Sequence, residues 1–299
     1  MTRPITPAAA MFKGAAGNTL AADIYGEEGP PVLLLHGGGQ TRHAWRKTGD
    51  LIARRLGRVG YAVDQRGHGD SEWVANGAYD FADFAADARV LADTLAERSG
   101  ERPVAVGASL GGIAALLAEG GLDRPANGPV FSALVLVDIT PRVDLAGVEK
   151  VQGFMRAHAK EGFGSISEAA DAVAAYLPHR PRPRSHEGLR KNLRLHPDGR
   201  WRWHWDPRFL DGKRRLGPDP DKIEQNLVEA ARRIAIPTLL VRGAASELVQ
   251  ERHAKDFLEL VPHASYVDVS GARHMVAGDR NDQFANAIEG FLAGLKTGR

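Results

Sequence analysis

Short apolar runs recur along the chain with little polar alternation: Pro31–Leu35, Arg58–Val63, Val104–Ala108, Phe131–Val137 and Ile236–Gly243. Runs of this length, rich in valine and leucine and ending at glycine or aspartate, predict strands buried on both faces. Between them the spacing becomes helical. Phe81, Phe84, Ala88, Leu91 and Leu95 fall at three- and four-residue steps and predict an amphipathic helix from about Asp80 to Glu97. Further helices are predicted from about Trp45 to Leu56, along the alanine- and leucine-rich stretch after Ser109, over 249–260, and from about Asn281 to Leu295. Residues 11–29 read as a hairpin turning at Gly17-Asn18, with Leu20, Ala22 and Ile24 pointing inward. A last short strand is expected at Tyr266–Val269. Strands alternating with helices predict a mainly parallel sheet covered by helices on both faces.

The alternation breaks after Pro141. Residues 142–233 carry helical segments at about 145–160, 166–176 and 221–233 but no buried strand run. The expected division is therefore a core built from 1–140 and 235–299, with 141–234 inserted. Within the insertion, Asn192–Trp205 holds two alternating runs around Pro197-Asp198-Gly199, the signature of a hairpin. Leu193, Leu195, Trp201, Trp203 and Trp205 share one face, and arginine and histidine share the other. From Pro178 to Arg215 there are 12 Lys/Arg against 4 Asp/Glu. Base stacking would need the aromatic and basic groups on one surface, and alternation separates them. No nucleic-acid partner is expected.

Composition narrows the picture further. A chain of 299 residues, 43% hydrophobic and 25% charged, can bury one large α/β core. The net charge of +2 names no partner, and the absence of cysteine removes disulfides, thiolate metal sites and a cysteine nucleophile. No apolar run approaches the roughly 20 residues needed to cross a bilayer, and the N-terminal alanine run is too short for a secretion signal. The expectation is a cytoplasmic protein with no membrane partner. No His/carboxylate pair has the spacing of a metal site, so neither metal nor cofactor is expected.

The chemistry concentrates around Gly107-Ala108-Ser109-Leu110-Gly111, lying between a valine-rich strand and an apolar helix. This G-x-S-x-G spacing builds a sharp strand-to-helix turn that lifts the serine hydroxyl to the end of the sheet. A nucleophilic serine needs a base, an orienting acid and an oxyanion hole. His43, His179, His186, His196, His204, His253 and His263 sit in polar or turn-like surroundings and read as exposed. His36 and His68 belong to glycine turns whose shape they can support. His274 lies in a loop after the last strand, where active sites of parallel sheets collect, and is the candidate base. A dinucleotide-binding turn at 36–39 is the weaker reading. Arg42 follows Thr41 where a third glycine belongs, although Asp64 sits near the distance of a ribose-binding acid.

Four motifs in order then resemble the α/β-hydrolase superfamily, in its capped, small-substrate branch of esterases and lactonases: His36-Gly37-Gly38-Gly39, Asp64–Ser71, Gly107–Gly111 and Gly271–His274. The resemblance spans 30–140 and 235–296 and implies a mostly helical cap inserted before the last strands. It implies Ser109 as nucleophile and His274 as base, with the N–H groups of Gly38 and Leu110 as oxyanion hole, each donor worth roughly 3–4 kcal/mol of transition-state stabilisation. Gly39, and Trp203 from the insertion, are candidate substrate-binding residues. The acid departs from the family pattern. Ser246 stands at the usual place after the strand ending at Gly243, and Glu247 is one residue late and one methylene long. Asp138, at the end of the preceding core strand, is the other candidate and the favoured one. The resemblance implies a cofactor-free serine hydrolase acting on a small, fairly apolar ester or lactone. Its rivals are a perhydrolase or haloperoxidase-like enzyme with the same triad, and a non-catalytic receptor on the same fold.

Overall fold

The computed structural model describes residues 5–124, 128–178, 185–210, 220–274, 276 and 281–295. Strands form at the predicted apolar runs. β1 (Ala8–Lys13) and β2 (Thr19–Tyr25) make the hairpin, followed by β3 (Pro31–Leu35), β4 (Val59–Val63), β5 (Val104–Ala108) and β6 (Ala133–Val137). β7 (Leu193–Leu195) and β8 (Trp201–Trp203) form a separate ribbon, and β9 (Thr238–Gly243) and β10 (Ser265–Val269) return to the main sheet. That sheet has eight strands in the order β1-β2-β4-β3-β5-β6-β9-β10. β2 runs antiparallel to β1 and β4, and every pair from β4 to β10 is parallel. The helices are α1 (Arg46–Leu56), α2 (Phe81–Ser99), α3 (Leu110–Gly120), α4 (Leu145–Ala157), α5 (Ile166–Tyr176), α6 (Glu187–Arg190), α7 (Pro220–Arg232), α8 (Glu251–Leu260) and α9 (Asn281–Gly294).

Strand periodicity sorts the core into two layers. Leu33, Leu35, Ala105, Leu134, Leu136 and Leu240 pack under α2, α3, α7 and α8. Their neighbours Val32, Leu34, Val106, Val135, Val137 and Val241 pack under α1 and α9. Truncating one of these leucines to alanine is expected to cost about 2–5 kcal/mol, because close-packed neighbours only partly fill the cavity.

Two departures from the sequence expectation have local causes. β2 is buried on both faces, with Tyr25 covered and Ile24 only half-buried, because α1 packs on Tyr25 while Leu20 and Ala22 face the layer under α2. β6 starts at Ala133 rather than Phe131. The buried Glu119 carboxylate accepts the backbone N–H groups of Val130 (2.9 Å) and Phe131 (3.0 Å), which keeps that stretch out of the ladder.

Between β6 and β9, Met155, Phe163, Trp203 and Trp205 lead a separate apolar cluster. The ribbon's apolar face is buried at Leu193 and Trp203, but Leu195 at its end is exposed. Arg200 and Arg202 donate to the carbonyls of Lys160, Glu161 and Gly162, and Arg202 also pairs with Asp198. These charges fasten the ribbon to the backbone of the loop after α4. Arg180, Arg182, Arg184 and Lys213–Arg215 lie outside the described residues. Two backbone bonds tie the segment to the core beside β4, Gly69 N–H to His204 O and Asp206 N–H to Gly67 O, both 2.7 Å. A third, Asp144 N–H to Leu248 O (2.8 Å), ties the start of α4 to the loop after β9.

Candidate active site

The turn from β5 into α3 is tight, and its glycines are there for space. A side chain on Gly107 would strike Gly111, one on Gly111 would strike Leu35, and one on Gly112 would strike Ile139. Ser109 itself holds φ 46° and ψ −114°, a conformation L-residues avoid unless the surroundings enforce it. Its N–H donates to Val137 O (3.2 Å) and the next glycine's N–H donates to His36 O (3.1 Å), so both neighbouring strand ends grip the turn. α3 begins at Leu110, leaving first-turn N–H groups without intrahelical acceptors beside the serine.

On the β3 side, the glycine turn is held by two buried histidines. His36 donates from Nδ1 to Gly37 O (2.8 Å) and accepts the Gln65 N–H at Nε2 (3.0 Å). His68 donates from Nδ1 to Arg66 O (3.0 Å) and accepts the Gly39 N–H at Nε2 (3.1 Å). Burial pushes His36 down to about 4, and burial together with the neighbouring His36 pushes His68 down to about 3. Both rings are neutral and fully engaged, so neither serves as base. The Gln65 amide donates to His36 O (2.6 Å), and the Gly37 and Gln40 N–H groups are also taken. Among the described residues, the Gly38 N–H has no protein acceptor.

The Asp64–Ser71 turn is a brace behind this wall. Asp64 takes the N–H groups of Arg42 and Asp70 and the Arg42 guanidinium. Arg66 forks onto Asp87 of α2 with two 2.6 Å bonds, both side chains buried.

On the other side of Ser109, Asp138 ends β6 fully buried at φ 49°. Its carboxylate accepts the Gly243 N–H (2.9 Å), the Ser246 hydroxyl (2.6 Å) and His274 Nδ1 (2.8 Å). With Nδ1 donating, Nε2 is the lone-pair nitrogen of His274. Glu247 makes no such contact. Its carboxylate lies 4.0 Å from Lys150 of α4, and its other oxygen is buried without a partner. Of the two candidate acids, only Asp138 is joined to His274, and Ser246, at the family's usual acid position, donates to it. No hydrogen bond joins Ser109 to His274 among the described residues. Such bonds are often long in ligand-free enzymes and tighten when substrate binds.

Above the glycine turn sit residues that sequence reading did not single out. A Cβ on Gly38 would lie 3.3 Å from two ring carbons of Phe209, and one on Gly39 would lie 2.8 Å from Met155 Cε and 3.6 Å from the Trp205 indole nitrogen. Trp203 is turned into the insertion's own cluster, 5.2 Å edge-on to Phe163 and 5.8 Å from Phe154. The neighbouring tryptophan of the same face, Trp205, reaches the site instead. His253, expected to be exposed, is buried, with Nδ1 accepting the Gln250 N–H (3.1 Å). Among the described residues no group of three His or carboxylate side chains is arranged to hold a metal, and no helix is long and apolar enough to cross a membrane.

Comparison with known proteins bears on the fold and the family. An esterase of Mycobacterium tuberculosis, Esterase Rv0045c, is 30% identical over 281 residues, 91% of this chain and 86% of that protein. The 2-(acetamidomethylene)succinate hydrolase of Mesorhizobium japonicum is 28% identical over 268 residues, 88% of each chain. A crystal structure of E-2-(acetamidomethylene)succinate hydrolase superposes with a TM-score of 0.81 over 97% of this chain and all of that one, at 24% identity. Residues 32–287 match the sequence model of the Alpha/beta hydrolase family. A mainly parallel eight-stranded sheet carrying a strained serine at the end of β5, in a chain matched over that length, makes this protein a member of the alpha/beta hydrolase family and a hydrolase.

Proposed function

We propose that the protein is a serine hydrolase of small, fairly apolar carboxylic esters or lactones, with Ser109, His274 and Asp138 as its triad. The observation that carries this is the 2.8 Å bond from His274 Nδ1 to Asp138, which leaves Nε2 free to act as base. His274 takes the Ser109 proton as Oγ bonds to the carbonyl carbon. The oxyanion is held by the N–H groups of Gly38 and Leu110. The C–O bond to the leaving alcohol then breaks, and His274 hands that alcohol its proton. Water, deprotonated by His274, attacks the acyl-enzyme, the bond to Oγ breaks, and Ser109 recovers a proton. In a lactone the alcohol stays tethered to the acyl group.

Residues 141–234 act as a cap in this reading, which their contacts with Gly38 and Gly39 support. The chemistry of Phe209, Met155 and Trp205 favours an apolar acyl group over a dicarboxylate of the kind named for the succinate hydrolase. A fluorophosphonate probe should label wild-type protein at Ser109 and leave folded Ser109→Ala unlabelled. That variant should also lose turnover across an ester and lactone panel. Near-wild-type turnover by the folded variant would remove Ser109 from the nucleophile's role.

A further inference from the structure

Outside the catalytic turn, a groove of about 380 Å³ lies between α2, α3, α4 and α7, within the roughly 300–1,000 Å³ span of small-ligand sites. Its floor is apolar, with Ala85, Leu117, Ile223 and Leu227, and Ala82 lines it from an exposed position. Its charged residues balance, Asp80, Asp123 and Glu229 against Arg89, Arg156 and Arg233, so its field selects neither an anion nor a cation. The groove reaches none of Ser109, His274 or Gly38. Phe209 lies between them: it lines the groove, and its ring is the nearest neighbour a side chain at Gly38 would meet. It also packs with Leu110 in the same apolar cluster.

Sheet order says which part of a substrate faces this ring. The glycine turn follows β3 and the Asp138–His274 pair follows β6 and β10, on opposite sides of β5 and its serine. A leaving-group oxygen has to face His274 to receive its proton, so the acyl group is directed to the β3 side, beneath Phe209. The ring's backbone is fixed. Phe209 N–H bonds to Asp206 O (2.9 Å), and the buried Asp206 carboxylate accepts the Tyr79 hydroxyl (2.6 Å). Its faces are held edge-on by His68 at 4.9 Å and Phe84 at 5.9 Å.

We propose that Phe209 sets the acyl-chain length of the substrate, closing off from the oxyanion hole an apolar groove that would otherwise accept a longer neutral chain. This rests on the serine-hydrolase reading. The experiment compares kcat/KM for p-nitrophenyl esters from acetate to decanoate in wild type, Phe209→Leu and Phe209→Ala, each checked by thermal melting. Wild type should favour acetate to butyrate. The octanoate-to-acetate ratio should rise tenfold or more in Phe209→Ala and by less in Phe209→Leu, which also decides the matter if the alanine variant does not fold. Adding Ala82→Trp, whose indole would fill the groove from an exposed position, should take the gain away. A ratio unchanged in the folded variants, or a gain that survives Ala82→Trp, overturns the assignment. Wild type that turns over no ester and takes no fluorophosphonate label instead overturns the serine-hydrolase reading, and this inference with it.

Discussion

On the β3–β4 side of Ser109 the polar groups are locked to one another, whereas on the β6–β10 side they converge on one carboxylate and then stop short of the serine. His36, Gln65 and His68 each bond to the glycine turn or its brace, and two of the three are neutral rings with both nitrogens used. Asp138 collects Gly243, Ser246 and His274, but His274 comes from the loop after β10 and makes no bond to Ser109. The difference matches the two chemical tasks of the proposed mechanism. An oxyanion hole works by being fixed before charge develops, since reorganising dipoles during the reaction would forfeit their benefit. In that proposal the base has to serve Ser109, the leaving group and water in turn, which suits an imidazole fixed at Nδ1 with Nε2 left to reach.

That contrast makes graded predictions. The largest effect belongs to the acid. Asp138→Asn is near-isosteric, and asparagine tolerates the positive φ at this position. It should leave the wrong histidine tautomer and cost about 10⁴ in kcat with the melting temperature little changed. Glu247→Gln should cost less than about tenfold. The reverse pattern in matched kinetics would move the acid to the loop after β9. Next comes the brace. Asp87→Asn takes from the buried Arg66 guanidinium the carboxylate it forks onto, leaving Asp83 at 3.6 Å, and should cost about 3–5 kcal/mol in denaturant unfolding, with turnover per folded molecule kept within a few-fold. A collapse in kcat with stability intact would mean that this side takes part in the chemistry.

The remaining effect is the pH dependence of stability. His36 and His68 are held at about 4 and about 3 when folded, against an ordinary 6.5. Between 6.5 and those values the unfolded chain binds protons that the folded chain does not. Stability therefore falls as pH drops from about 6.5 toward 4, and on to about 3 for His68 alone, by about 1.4 kcal/mol per pH unit for each ring. His68→Gln should remove one ring's share of that slope in melts from pH 7 to 4. An unchanged slope would show that His68 is not buried neutral.

Much of this was legible in advance, because burial on both faces leaves strands that read as unbroken apolar runs. The serine turn was legible for a related reason, since only glycine fits at 107 and 111. Other features depend on partners far away in the chain. Glu119 delays β6 by reaching 11 and 12 residues ahead, and no periodicity encodes that. Trp203 and Trp205 share a face of the ribbon, but Phe163 stands edge-on to Trp203, and Trp205 is left to meet Gly39. The sequence shows Ser246 where the usual acid would stand, but its hydroxyl bond to Asp138 follows from Asp138 lying across the β6–β9 pair. Phe209 carries no motif at all. Its position comes from Asp206 and Tyr79, which sequence places 127 residues apart.

The two backbone hydrogen bonds that fasten 204–206 to the Gly67–Gly69 turn also bear on amide hydrogen exchange. Gly69 and Asp206 each donate to the opposite segment at 2.7 Å, so neither proton reaches solvent until the two segments separate. If residues 141–234 lift away as one body, both protons exchange through a single opening, together with the Asp144 amide beside α4. If only the α4 side lifts, Asp144 exchanges early, while Gly69 and Asp206 keep the slow rates of the strands behind them. The order in which three amides lose their protons would then report which edge of the site opens to solvent.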